Sequence, residues 1–124
     1  MTREMTRTIA SFRDLRVWQE GIELVKEIYH LCVRLPKDEL FASANQMKRA
    51  AVSIPSNIAE GHSRKHRAEY RQSVYVALGS LAELDTQLAI TRELQLLDEA
   101  SLASAVARID RLRAMLVTLG RKLS

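Results

Sequence analysis

Residues 49–62 read RAAVSIPSNIAEGH. Apolar residues recur at Ala51, Ile54 and Ile58, the three-and-four spacing of one helical face. Pro55 nevertheless sits inside the run. A proline in a helix interior removes one backbone hydrogen bond and costs ~3 kcal/mol. Placed at about 100° per residue, the stretch and its upstream neighbours divide into two faces. Leu40, Ala44, Met47, Ala51, Ile54 and Ile58 form an apolar seam. Gln46, Arg49, Ser53, Asn57 and Glu60 form a polar stripe on one flank, with Pro55 on the other. The spacing predicts a helix bent near Pro55, whose half-buried polar groups need partners.

Three more seams lie outward from this one. They are Leu15, Trp18, Ile22, Val25, Tyr29 and Cys32; Tyr70, Val74, Ala77, Leu81, Leu84 and Leu88; and Ala105, Ile109, Leu112, Leu116, Leu119 and Leu123. The 124-residue chain has only four Gly and two Pro, too little turn chemistry for an all-β fold. Pro36 separates the first two helices and Asp38 is placed to cap the second. Gly61 is placed as its C′ glycine. Asp98 is placed to cap the fourth helix, with Leu97 and Leu102 as a hydrophobic staple. Ser11 and Asp14 are alternative caps for the first. Short connections make neighbours antiparallel. The expected fold is all-α: an antiparallel up-down-up-down four-helix bundle, with helix 2 bent near Pro55. Residues 12–124 form the single domain, and residues 1–11 a flexible N-terminal arm.

Helix 1 carries a second seam beside the first: Val17, Gly21, Leu24, Ile28, Leu31 and Leu35. Helix 3 has five apolar residues in succession, Val74 to Leu78, and helix 2 adds Phe41, Val52 and Ala59 opposite its core face. This surplus is either a wide core-facing stripe or a subunit interface. Self-association into a homo-oligomer is the expectation.

The polar stripe should face helix 3. A helix 2–3 turn near Ser63 puts position 49 level with roughly position 80. Gly79 and Ser80 would permit close approach there, and Arg49 would pair with Glu83. Ser53, Asn57 and Ser80 would satisfy one another. The structural polar seam is thus Gln46, Arg49, Ser53, Asn57, Glu60, Ser80 and Glu83. A catalytic Ser53 would need a base within hydrogen-bond reach, and no His falls on this face. No catalytic residue is assigned.

The formal charge of +4 conceals an uneven distribution. Residues 1–20, 60–72 and 108–124 meet at one end of such a bundle and together carry +7, while the remainder carries −3. The basic end holds Arg64, Lys65, Arg67, Arg71, Arg111, Arg113, Arg121 and Lys122, the candidate nucleic-acid-binding residues. Such a surface suits a phosphate backbone, without sequence reading and with strong salt dependence. The same cations would also complement helix C-termini. Almost no aromatics accompany them, and Tyr70 falls on the core seam, so base stacking is not expected.

Other chemistry is thinly represented. Cys32 is the single cysteine, which excludes an internal disulfide and fits a cytoplasmic setting. His62 and His66 are four apart, but Gly61 and Ser63 place a turn between them, so no metal is expected. No Gly-rich phosphate loop or H-E-x-x-H is present, so no cofactor is expected. No apolar run is long enough to span a membrane.

The sequences QMKRAAVSIPSNIAEG (46–61) and ALGSLAELD (77–85) carry a family likeness. The chain resembles the bacterial four-helix-bundle family first noted in intervening sequences of large-subunit ribosomal RNA genes. The matching positions are Gln46, Arg49, Ala50, Ala51, Ser53, Ile54, Asn57, Ile58, Ala59, Glu60 and Gly61, then Gly79, Ser80 and Glu83. FRDLRVWQ (12–19) matches the family's opening, and the likeness covers about residues 12–120. It departs at FASANQM (41–47), where relatives more often carry an aromatic-Gly-Leu run. The resemblance implies a four-helix bundle and a homopentamer, with no catalytic residues. One branch comprises accessory variability determinants of diversity-generating retroelements, which bind a reverse transcriptase and nucleic acid. For this chain the expectation is a non-enzymatic, oligomeric accessory or scaffold protein. Its expected partners are RNA or DNA through the basic end, and a reverse transcriptase if it belongs to that branch. The alternative is a purely structural protein-interaction oligomer.

Overall fold

The computed structural model describes residues 10–124. It contains four helices, α1 (Arg16–Val33), α2 (Asn45–Ser63), α3 (Arg67–Glu93) and α4 (Glu99–Lys122). No strand occurs among the described residues. Contacts between the helices fix their directions. Along α1 and α2, Gly21 meets Pro55 and Cys32 meets Ala44. Along α2 and α3, Gly61 meets Ser73 and Ser53 meets Ser80. Along α3 and α4, Tyr75 meets Gly120 and Asp85 meets Arg113. Arg34 meets Ser101 while Glu27 meets Arg108, so α4 returns beside α1. In each pair one number rises as the other falls. The chain is therefore an antiparallel four-helix bundle. Among the described residues no helix is long and apolar enough to cross a membrane.

The core is built from the predicted seams of α2, α3 and α4. Met47, Ile54, Ile58, Leu81, Leu84, Leu88, Ile109, Leu112 and Leu116 are all fully buried. In α1 the two seams exchange roles. Val17, Gly21, Leu24, Ile28, Leu31 and Leu35 face the core, whereas Leu15, Trp18, Ile22 and Val25 are half-buried and Tyr29 is exposed. The seams lie about 100° apart on the helix, and both are apolar. Gly21, on the inward seam, lies against Pro55 of α2: a Cβ there would meet the proline ring at 3.4 Å, an ordinary contact distance.

The helix ends differ from expectation more than the seams do. Ser11 and Asp14 both act, but on a 3₁₀ turn over Phe12–Asp14; α1 then starts after Leu15 with no side-chain cap. Of the expected N-terminal arm, residues 1–9 lie outside the described residues, while Ala10 and Ser11 donate their N–H groups to the Asp14 carboxylate. Asp38 does not cap α2; it lies in a 3₁₀ turn, and Ala44 occupies the cap position. The α-helix runs unbroken through Pro55, which is buried, and the rewound turn lies upstream as a π turn over Leu40–Ala44. That is the segment where the sequence departs from the family pattern. Asp98 does cap α4, accepting the Ser101 N–H at 3.1 Å.

Candidate functional site

Three surfaces deserve a chemical reading: the α2–α3 polar seam, the end where α1 and α3 begin and α4 ends, and the apolar flank of α1–α2.

In the polar seam, Ser53 Oγ and Ser80 Oγ are 2.8 Å apart. Asn57 Nδ2 donates to the Ser53 carbonyl at 2.7 Å and to Ser53 Oγ at 3.0 Å. All three residues are half-buried, and the network answers the hydrogen-bonding demand of hydroxyls and amides held out of water. The charged members stay outside. Arg49 and Gln46 are exposed, and Glu60 pairs with Arg64 at 3.2 Å. Arg49 and Glu83 form no ion pair; Glu83 instead accepts a hydrogen bond from Gln87 at 3.4 Å. The expected register is off by about one helical turn. Ser53, rather than Arg49, is level with Ser80, because α2 continues to Ser63 and the reversal occupies Arg64–His66.

The two glycines exchange meanings. Gly61 is not a C′ glycine but a helical residue pressed on α3, where a Cβ would lie 2.6 Å from Ser73 Cβ. Gly79 is exposed with open space around it, so it is not the close-approach residue. No nucleophile–base pair arises in this seam, since neither hydroxyl meets a histidine. Gln87 is a feature the sequence reading missed: its side-chain oxygen is buried without a partner beside a small cavity lined by Gln46 and Thr91.

The predicted basic residues fall into two groups. Lys65, Arg67 and Arg71 lie at the α2–α3 reversal and start of α3, and Arg121 and Lys122 close α4. Arg67 donates to the Lys122 carbonyl, which ties the two segments together. Arg64 belongs here by position but is engaged by Glu60 and by Glu69, the latter at 3.8 Å. Arg111 and Arg113 do not reach this end. Arg111 is ten residues before Arg121, about 15 Å along the helix. Arg113 is held mid-bundle by Asp85 and Asp110, each at 2.8 Å. Arg108 is likewise consumed by Glu27 at 2.9 Å and Glu20 at 3.7 Å. A spacing count detects the Arg113–Asp110 and Arg64–Glu60 pairs within one turn, but not Asp85, Glu20 and Glu27, which arrive from other helices.

Arg16 joins the basic end, although it was not singled out in the sequence. It lines a cleft of ≈ 530 Å³ with Leu15, Tyr70, Met115, Leu119 and Lys122. No acidic residue lines this cleft. Burial raises the Tyr70 phenol above its ordinary pKa. Its ring packs edge-on against His62, with centroids 5.6 Å apart. Among the described residues, no group of three His, Cys, Asp or Glu could hold a metal ion. Cys32 is buried, and that burial raises its thiol pKa against the opposing pull of Lys48.

The third surface is a shallow groove of ≈ 330 Å³ between α1 and α2, lined by Trp18, Ile22, Val25, Val52, Pro55, Ser56 and Ala59. Its walls are the α1 seam displaced from the core.

A profile for the 23S rRNA-intervening sequence protein family matches residues 13–118. The chain belongs to that family. No curated protein matches the chain. Its fold recurs in a crystal structure of a protein of unknown function from the S23 ribosomal protein family of Bacteroides thetaiotaomicron. The TM-score is 0.78 at 20% identity, covering 83% of this chain and 96% of that one. At that identity the likeness concerns the fold. Both chains share the all-α bundle.

Proposed function

We propose that this protein is a non-enzymatic, oligomeric bundle that engages nucleic-acid phosphates, alone or within a nucleoprotein, through its basic end. The observation that carries the reading is the concentration of exposed, unpaired cations there. Arg16, Lys65, Arg71, Arg121 and Lys122 gather there with no ion-pair partner among the described residues; elsewhere Arg49 and Arg111 are also unpaired, while Arg108 and Arg113 are neutralised. A symmetric assembly would repeat this end and multiply its field. If the chain serves a retroelement, the nucleoprotein partner would be a reverse transcriptase. The second reading, a purely structural oligomer, is favoured by the apolar α1–α2 groove alone.

Titration with a short RNA duplex separates the two. At about 50 mM salt binding is expected, with affinity falling steeply as salt rises. Charge reversals Lys65→Glu, Arg71→Glu and Lys122→Glu should each weaken it and flatten the salt slope. Arg111→Glu removes the same charge from mid-bundle and should have a much smaller effect. Absence of binding at that salt would leave the structural reading.

A further inference from the structure

The cleft at the basic end has a composition that phosphate binding does not require. Its lining is largely apolar, from Leu15, Val17, Met115 and Leu119, with Ala114 at its exposed side. One aromatic ring, Tyr70, lines it, and Tyr70 and Thr118 bring hydroxyls. Arg16 and Lys122 contribute the cations, and no acid opposes them. Its volume of ≈ 530 Å³ lies within the ordinary range for small-molecule sites.

We propose that this cleft receives one unpaired nucleotide of a nucleic acid bound at the basic end. The base enters among Tyr70, Met115 and Leu119, and the adjoining phosphates lie on Arg16 and Lys122. This inference rests on the nucleic-acid reading above and adds a preference for unpaired ends over continuous duplex.

Three features favour a nucleotide over a single-headed amphiphile. The cations are not confined to the cleft: exposed Arg71, Lys65 and Arg121 lie at the same end of the bundle, as a polyanion requires. The two hydroxyls offer hydrogen bonds that a base edge can use and an alkyl chain cannot. Tyr70 is the one aromatic in the cleft, which suits a single base and not the row of stacking residues of a single-strand channel. Met115 adds a polarisable wall suited to contact with a flat ring.

The test compares three RNA ligands by fluorescence anisotropy at low salt: a blunt duplex, the same duplex with one unpaired terminal nucleotide, and that overhang made abasic. The unpaired nucleotide should tighten binding about tenfold, the scale of one base stacked on an aromatic. The abasic overhang, which adds the phosphate alone, should bind like the blunt duplex. Ala114→Trp fills the cleft from an exposed position and should abolish the gain. Ala114→Leu, a milder filling, should reduce it if the tryptophan variant folds poorly. Equal affinity for blunt and overhanging duplexes would overturn the inference and leave the basic-end reading intact. So would an equal gain from the abasic overhang, or a gain that survives both fillings. No binding by any of the three would overturn both.

Discussion

At the residue scale, glycine has opposite meanings in one motif-rich stretch of this chain. Gly61 and Gly79 are both helical, so each lowers helix propensity by ~1 kcal/mol relative to alanine. Gly61 returns that cost by allowing α2 to press on Ser73 and Tyr70 of α3, where an added Cβ would meet Ser73 Cβ at 2.6 Å. Gly79 faces open space. Gly61→Ala should therefore destabilise the bundle by about 1–3 kcal/mol, the cost of overpacking a fitted site. Gly79→Ala should stabilise the monomer unit by ~0.5–1 kcal/mol. Urea denaturation of the two variants should give midpoints shifted in opposite directions. Shifts of the same sign would mean that the α2–α3 packing is not as close as the geometry indicates.

At the element scale, the end of α3 shows how a helix can stop without the usual signal. Leu96 N–H bonds the Thr91 carbonyl and Gln95 N–H the Arg92 carbonyl, the two reverse bonds of a Schellman motif. Its left-handed position is held by Gln95, with φ of 57°. A non-glycine residue is strained there. Gln95→Gly should raise stability by ~0.5–1 kcal/mol, read as a higher urea midpoint with unchanged slope. Three residues on, Asp98 caps α4, and hydrogen bonds from Ser101, then Arg34, lower its carboxyl pKa. A depressed folded pKa means stability that is present above the unfolded pKa, near 3.9, and lost as pH falls through the folded value. Wild type should lose stability below about pH 4, and Asp98→Asn should shallow that loss in thermal melts across pH 2.5–5. The Asp98 cap was legible in the sequence, because a capping residue acts within its own turn. Gln95 was not, since no glycine or asparagine marks the position. The α1 core face was not legible either: Val17–Leu35 and Leu15–Cys32 are both apolar stripes, and packing against the other helices decides between them, burying Leu24, Ile28 and Leu31. For the same reason the hydroxyl–amide part of the polar seam was readable from α2 periodicity, whereas its register against α3 required knowing where the reversal lies.

At the scale of the whole molecule, the apolar residues that the bundle does not bury bear on assembly. We propose that the chain assembles into a five-membered ring. An odd-membered ring needs two different faces on each subunit, since an isologous contact pairs a face with itself. The chain carries two. One is the α1–α2 groove around Trp18, Ile22 and Val52. The other is the outer side of α3, where Tyr75, Val76 and Ile90 are 51%, 44% and 52% exposed and Gly79 leaves room for approach. Along that side, between Gln72 and Ile90, Glu83 is the one exposed charged residue. A groove that accepts the α3 face of the next copy is a heterologous contact, and it would leave the basic ends free. Light scattering at micromolar concentration should then give a mass several times that of one chain. Val52→Glu blocks the groove and Val76→Glu blocks the α3 face, so each variant alone should be monomeric. Mixed, they retain one intact groove and one intact face between them, and should form a two-chain complex that cannot grow. A monomeric wild type would refute self-association. Two monomeric variants that fail to associate on mixing would refute the pairing of these two faces.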